Sequence, residues 1–261
     1  EEMEDLQPGT QAYAYNHGFS FNALDYTIDQ ESDDVTIAEF TAKGIELLDN
    51  PNGFFLMVEG GKIDWACHAN DIGSSIHNTI AFEAAVQEAI NFYNRHPDET
   101  LIVVTGDHEC GGLTLGFAGT GYDTNFTVVD GQTKSFEYFD QYVWAPFAEK
   151  GGSFNEIIPE IEKYFGLSDL TDYEREQLEM AFTQSMAGEE EKAGDQATAL
   201  LYGSYNPITV KATHLLAQRA GMSWTSYKHT GVPVPTFALG VGSESFNGSY
   251  DNTDIFHKTV A

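Results

Sequence analysis

The chain has 261 residues, 41% of them hydrophobic, enough for a large single domain with a core and unlike the composition of a disordered chain. Forty-one acidic residues against twelve basic ones give a formal charge of −29, which repels nucleic acid and anionic membranes. No run approaches the roughly 20 apolar residues that a membrane helix needs, so neither class of partner is expected. The acidity is spread along the chain apart from Glu189-Glu190-Glu191, as on a solvated face. An anionic substrate would then need bound divalent cations to invert the local potential.

Thr36-Ile37-Ala38-Glu39 reads as a capping box opening a helix through Leu48, and Asn50-Pro51-Asn52-Gly53 reads as a turn. The apolar run Phe54-Phe55-Leu56-Met57-Val58 then predicts a buried strand that delivers Glu59 to the edge of a sheet. Asp64 and His68 follow, four residues apart, on one face of a helical turn. A helix over 76–94 returns to a second apolar run, Leu101-Ile102-Val103-Val104, after which come Asp107 and His108. Strand, helix and strand in this order predict a βαβ crossover in a parallel sheet, where ligands gather at the carboxyl ends of the strands. Carboxylate oxygen and imidazole nitrogen at two such ends suit zinc, and open zinc sites activate water or polarise phosphoryl oxygens. Cobalt and manganese also fit such donors.

Residues 118–205 break the alternation with Gly-rich and aromatic segments before helices predicted over 155–165 and 171–184. Asn206-Pro207 caps a further helix that Gly221 ends, a strand is predicted over 235–240 after His229, and a short terminal helix over 254–260. Of the other histidines, His214 on an apolar helix pattern and His77 at a helix start read as core or cap residues, while His17, His96 and His257 lie outside every motif. Ser74 and Ser75 read as the start of a helix rather than as nucleophiles. Cys67 and Cys110, each within two residues of a proposed ligand, predict neighbouring loops, joined by a disulfide or carrying two small buried thiols.

The segment Val58-Glu59-Gly60-Gly61-Lys62-Ile63-Asp64-Trp65-Ala66-Cys67-His68, the segment Thr105-Gly106-Asp107-His108 and the later Lys228-His229-Thr230-Gly231 resemble, in the same order, three motifs of the carboxyl-terminal half of alkaline phosphatases. The resemblance implies an α/β fold, a three-layer sandwich with a largely parallel sheet, carrying an inserted helical and irregular region. It implies Glu59 as a magnesium ligand, Asp64, His68 and His229 as ligands of a first zinc, and Asp107 and His108 as ligands of a second. Trp65 stands where relatives carry lysine or histidine, and packs over the metal cage or simply shields apolar surface.

The family's Asp-Ser nucleophile segment is missing, since the chain contains no Asp-Ser dipeptide. The expectation is therefore a metal-binding half of a phosphate monoester hydrolase that acts through a phosphoserine only with its amino-terminal half, and is inactive alone. A sulfatase or phosphodiesterase relative and a non-catalytic metal-binding domain are the alternatives. The expected organisation is a connecting segment at 1–34, a metal-binding α/β core at 35–117 and 206–261, and an insertion at 118–205. Expected partners are the missing half and a second copy in a homodimer, and the expected location is periplasmic or secreted.

Overall fold

The computed structural model describes residues 24–188 and 196–260. Most of the predicted connecting segment at 1–34, together with His17 and Glu189-Glu190-Glu191, lies outside those residues. In chain order the helices are α1 (Ile37–Leu48), α2 (Gly61–His68), α3 (Ile72–Tyr93), α4 (Phe136–Tyr138), α5 (Ala145–Glu149), α6 (Phe154–Phe165), α7 (Asp172–Met186), α8 (Gln196–Tyr202), α9 (Pro207–Arg219) and α10 (Asp254–Val260). A π-helical stretch, Phe139–Trp144, joins α4 to α5. The strands are β1 (Leu101–Thr105), β2 (Glu109–Cys110), β3 (His229–Thr230) and β4 (Thr236–Gly240).

Local chemistry sets the helix starts. Thr36 accepts from the Glu39 amide at 3.2 Å while the Glu39 carboxylate accepts from the Thr36 amide at 2.8 Å, so two amides with no partner inside α1 are satisfied reciprocally. Ser153 with Glu156 and Thr171 with Glu174 repeat the device on α6 and α7. Asp71 caps α3 and is fully buried; its carboxylate accepts from the Ser74 amide and hydroxyl, from Gln132 Nε2 at 2.6 Å and from the Phe136 amide at 2.8 Å. That one carboxylate fastens the start of α3 to the 132–136 segment.

The largest apolar cluster lies between the 126–182 region and α9. Phe139, Ile157, Ile161, Phe165 and Leu178 are buried against Ile208, Val210 and Leu216. Burial of a side chain of this size contributes about 1.5–3 kcal/mol, which makes α9 the pillar of the molecule. Its polar side chains Thr209, Lys211 and Thr213 are buried as well, and His214 Nε2 meets Asn70 Oδ1 at 2.9 Å.

Both ladders are antiparallel. β1 pairs β4 from Leu101↔Gly240 to Thr105↔Thr236, and β2 pairs β3 through Glu109↔Thr230 and Cys110↔His229. A parallel pair is absent among the described residues, and the 54–58 run, predicted as a strand, belongs to no ladder there. A strand exists through a neighbour that takes up its N–H and C=O groups; among the described residues this run joins no ladder and instead meets helices, Leu56 at Gly44 of α1 and Phe54 at Phe92 of α3. The helices over 37–48, 72–93, 154–165, 172–186, 207–219 and 254–260 fall where the sequence puts them within a few residues.

Phe55 and Met57 on that unpaired run, and Phe237 on β4, leave 77%, 71% and 65% of their surface exposed. Leu239 and Val241 continue the row begun by Phe237, so each of the two segments presents an alternating apolar row to solvent. No helix among the described residues is long and apolar enough to cross a membrane.

Candidate metal centre

Helix α2 carries Asp64 in its first turn and His68 at its end, and their i,i+4 spacing brings Asp64 Oδ2 to 3.5 Å from His68 Nε2. The β2–β3 ladder supplies the remaining donors from far along the chain. Its register sets Cys110 directly opposite His229, so both side chains stand on one face. His229 Nε2 lies 3.1 Å from His68 Nε2 and 3.5 Å from Asp64 Oδ1.

The Asp64 carboxylate faces both rings, Oδ2 toward His68 and Oδ1 toward His229, so the contacts among the three side chains run from 3.1 to 3.5 Å. Zinc–ligand bonds of 2.0–2.1 Å in a tetrahedron require ligand atoms on the order of 3.3 Å apart. The ring of His68 is correctly poised, because its Nδ1 lies 2.7 Å from the Tyr227 carbonyl. Nδ1–H donates to that oxygen and Nε2 keeps its lone pair for the centre. Two atoms here are buried without a hydrogen bond, Asp64 Oδ1 and His108 Nδ1. Leaving a buried polar atom unpaired costs about 1–3 kcal/mol, and a cation at the centre would satisfy Asp64 Oδ1. The donor set fits zinc.

His108 stacks on His229 with ring centroids 3.4 Å apart and planes 18° from parallel, its Nδ1 3.9 Å from Asp64 Oδ1. Asp107 reaches 3.3 Å from His108 Nε2 with 88% of its side chain exposed. Glu59 is exposed and lines a separate cavity of about 30 Å³ with Thr27, Lys62 and Asn78. Among the described residues Asp64, His68, Cys110 and His229 bring donor atoms within 4.8 Å of one another, a group that holds neither Glu59, Asp107 nor His108.

Cys110 is the member that linear spacing did not offer. Its signal is the cross-strand partnership with His229, visible only once the ladder is known. Cys67 and Cys110 are both free thiols, so of the two arrangements left open the structure has the unbridged one. The two loops do meet, since the Gly111 position lies against the Cys67 carbonyl. Burial pushes the Cys67 thiol up to about 11, and burial with the adjacent Asp64 carboxylate raises Cys110 as well. Glu109 accepts from the Gly112 amide at 3.0 Å and from the Thr230 hydroxyl, pinning the loop after β2 to β3. Trp65 lies under the Lys62 ammonium, 4.6 Å from the ring centroid. Ser74 and Ser75 are buried in the first turn of α3, and His214 is a hydrogen-bonded core residue.

Comparison with known proteins gives a consistent answer. The family profile described as alkaline phosphatase matches residues 14–261. Alkaline phosphatase 3 of Bacillus subtilis is 29% identical over 238 residues, which is 91% of this chain and 46% of that protein. The crystal structure of a cold-active alkaline phosphatase from a psychrophilic Shewanella superposes with a TM-score of 0.69 at 30% identity, covering 91% of this chain and 52% of that one. The Thermus thermophilus alkaline phosphatase shares the fold, with a TM-score of 0.69 at 24% identity over 90% of this chain and 49% of that one. The chain spans about half the length of the relatives it matches.

Proposed function

This chain belongs to the alkaline phosphatase family, and from that premise we propose that it is the metal-binding half of a phosphate monoester hydrolase whose nucleophilic serine lies on the other half. Asp64, His68 and His229 hold the first zinc; the observation that carries this is the convergence of two imidazole Nε2 atoms 3.1 Å apart on one carboxylate, an oxygen of which lies 3.5 Å from each. His108, stacked on His229, holds the second zinc with Asp107, and Glu59 serves a magnesium. The last two assignments rest on the family motifs.

Bound zinc would act as a Lewis acid on the phosphoryl group and its leaving oxygen, and would lower the pKa of a bound oxygen nucleophile. This chain's residues prepare for that. His68 keeps Nε2 free of a proton by spending Nδ1–H on the Tyr227 carbonyl. Asp64 supplies negative charge between two imidazoles, 3.5 Å from each. A chain of formal charge −29 would otherwise repel a phosphate monoester, so metal binding and substrate binding are coupled electrostatically.

The 54–58 run, which joins no ladder among the described residues, supports a partner that adds strands, and the complete sandwich with a largely parallel sheet is proposed to form with the amino-terminal half. In that reading 35–117 and 206–261 form the metal-binding core, 118–205 is the insertion, the assembled enzyme is a dimer, and its setting is periplasmic or extracellular.

Zinc titration of the purified chain, beside Asp64→Asn and His229→Ala, tests the site: micromolar or tighter binding lost in both variants is expected, and binding that survives both overturns it. Hydrolysis of p-nitrophenyl phosphate should be negligible for the chain alone and restored by the amino-terminal half of a relative. Brisk turnover by the chain alone would refute the division of labour.

A further inference from the structure

Asn70 is 1% exposed and has a left-handed backbone, φ 54°. Asparagine is one of the few non-glycine residues that tolerate this conformation, and here the turn leads from the end of α2 into the Asp71 cap of α3. Both amide hydrogens and the carbonyl oxygen of its side chain are engaged. Nδ2 donates to the Cys67 carbonyl at 2.9 Å and to the Ser226 carbonyl at 2.9 Å, while Oδ1 faces His214 Nε2 at 2.9 Å. Since both amide protons go to carbonyls, Oδ1 is the acceptor and His214 donates Nε2–H.

Each carbonyl that Asn70 holds lies one residue before a partner in the same contact: Cys67 precedes His68, and Ser226 precedes Tyr227, whose carbonyl accepts from His68 Nδ1–H at 2.7 Å. One amide therefore fixes the separation between the His68 backbone and the oxygen that selects its tautomer. His214 anchors that amide from α9 and packs its ring against Tyr227, centroids 6.0 Å apart. The Tyr227 hydroxyl in turn donates to the Leu201 carbonyl at 2.5 Å.

We infer that Asn70, oriented by His214, is a positioning residue for the metal centre, holding His68 with Nδ1 protonated and Nε2 presented to the cation. This rests on the reading of His68 as a zinc ligand. Outer contacts of this kind shift metal affinity by about 10–100-fold.

The test compares the whole chain with Asn70→Asp, which keeps the shape and the left-handed tolerance but loses the two donors, and with His214→Leu and His214→Gln, of which only glutamine offers an N–H to Asn70 Oδ1. Zinc affinity is read by competition with a chromophoric chelator, and the tautomer of His68 by 15N-edited NMR of the metal-free protein. About 10-fold or greater loss of affinity is expected in Asn70→Asp and His214→Leu, with mixed tautomers at His68 and partial recovery in His214→Gln, at temperatures where thermal melts show each variant folded. If Asn70→Asp does not fold, the His214 pair decides alone. Unchanged affinity and an unchanged Nδ1–H tautomer in folded variants overturn the inference and leave the zinc site standing. No zinc binding by the unmodified chain overturns both.

Discussion

His68 and His229 meet Nε2 to Nε2 at 3.1 Å across 161 positions of sequence. With the His68 proton committed to the Tyr227 carbonyl, its Nε2 offers a lone pair, and in the metal-free chain His229 can donate its Nε2–H to it. A cation between the rings would replace that single hydrogen bond with a bond to each nitrogen. Zinc should therefore stabilise the fold, by about 2.7 kcal/mol at a free concentration 100 times its dissociation constant. Differential scanning calorimetry with and without zinc should show the melting temperature rise, EDTA should reverse it, and His229→Ala should abolish the response.

Glu174 and Arg219 clamp α7 to α9 through two parallel bonds, 2.6 Å from Nε to Oε1 and 2.9 Å from Nη2 to Oε2. The Arg219 guanidinium holds the Glu174 carboxyl down to about 2, helped by the Thr171 cap. A carboxylate depressed in the folded state contributes its stability fully above the unfolded value of about 4.5 and loses it as the pH falls from there toward 2. Glu174→Gln should cost about 2 kcal/mol at pH 7, measured by urea unfolding, and the difference from the unmodified chain should shrink below pH 4.

Burial, and to a lesser degree Lys211, presses the His214 imidazole down to about 4. The folded form keeps it neutral while the unfolded chain takes a proton below about 6.5, so stability is complete above that value and drains away as the pH falls to 4. Urea midpoints recorded at pH 7, 6, 5 and 4.5 should decline in the unmodified chain. His214→Gln should start lower and decline less steeply, and parallel curves would show that another group governs the acid limb.

At Gly111 the backbone φ is +83°, and a methyl group added there would come within 2.6 Å of the Trp224 ring and 2.7 Å of the Cys67 carbonyl. Both the left-handed backbone and the contact oppose alanine, so Gly111→Ala should cost more than about 2 kcal/mol and weaken zinc binding through the neighbour of His68. Gly53→Ala is the control. Its φ of +76° is similar but nothing lies within 4 Å, which leaves the backbone cost of about 1–2 kcal/mol and no effect on the metal.

The helices were legible because their signals are local. The Thr36–Glu39 box, the Asn206-Pro207 start and the left-handed Gly221 act within a single turn. Sheet geometry was not, since the apolar run over 54–58 says nothing about which segment lies beside it, and β1 takes as antiparallel neighbour β4, far along the chain, from Thr105↔Thr236 to Leu101↔Gly240. At the candidate site, Asp64 and His68 could be read from helical spacing, and His229 came only through resemblance to a family. Cys110 and Asn70 join the centre by cross-strand register and by a buried amide spanning three segments, and neither leaves a mark in a linear pattern.

The open rows of Phe55 and Met57 and of Phe237, Leu239 and Val241 also bear on how copies of the chain behave toward one another. Faces of this sort adhere on contact, and what holds them apart in the isolated chain is mutual repulsion of molecules carrying a formal charge of −29. That barrier reaches only about 10 Å in 0.1 M salt, and it vanishes near the isoelectric point of about 4.3. Mild acid and brine are thus the two conditions in which the isolated chain is least able to remain dispersed.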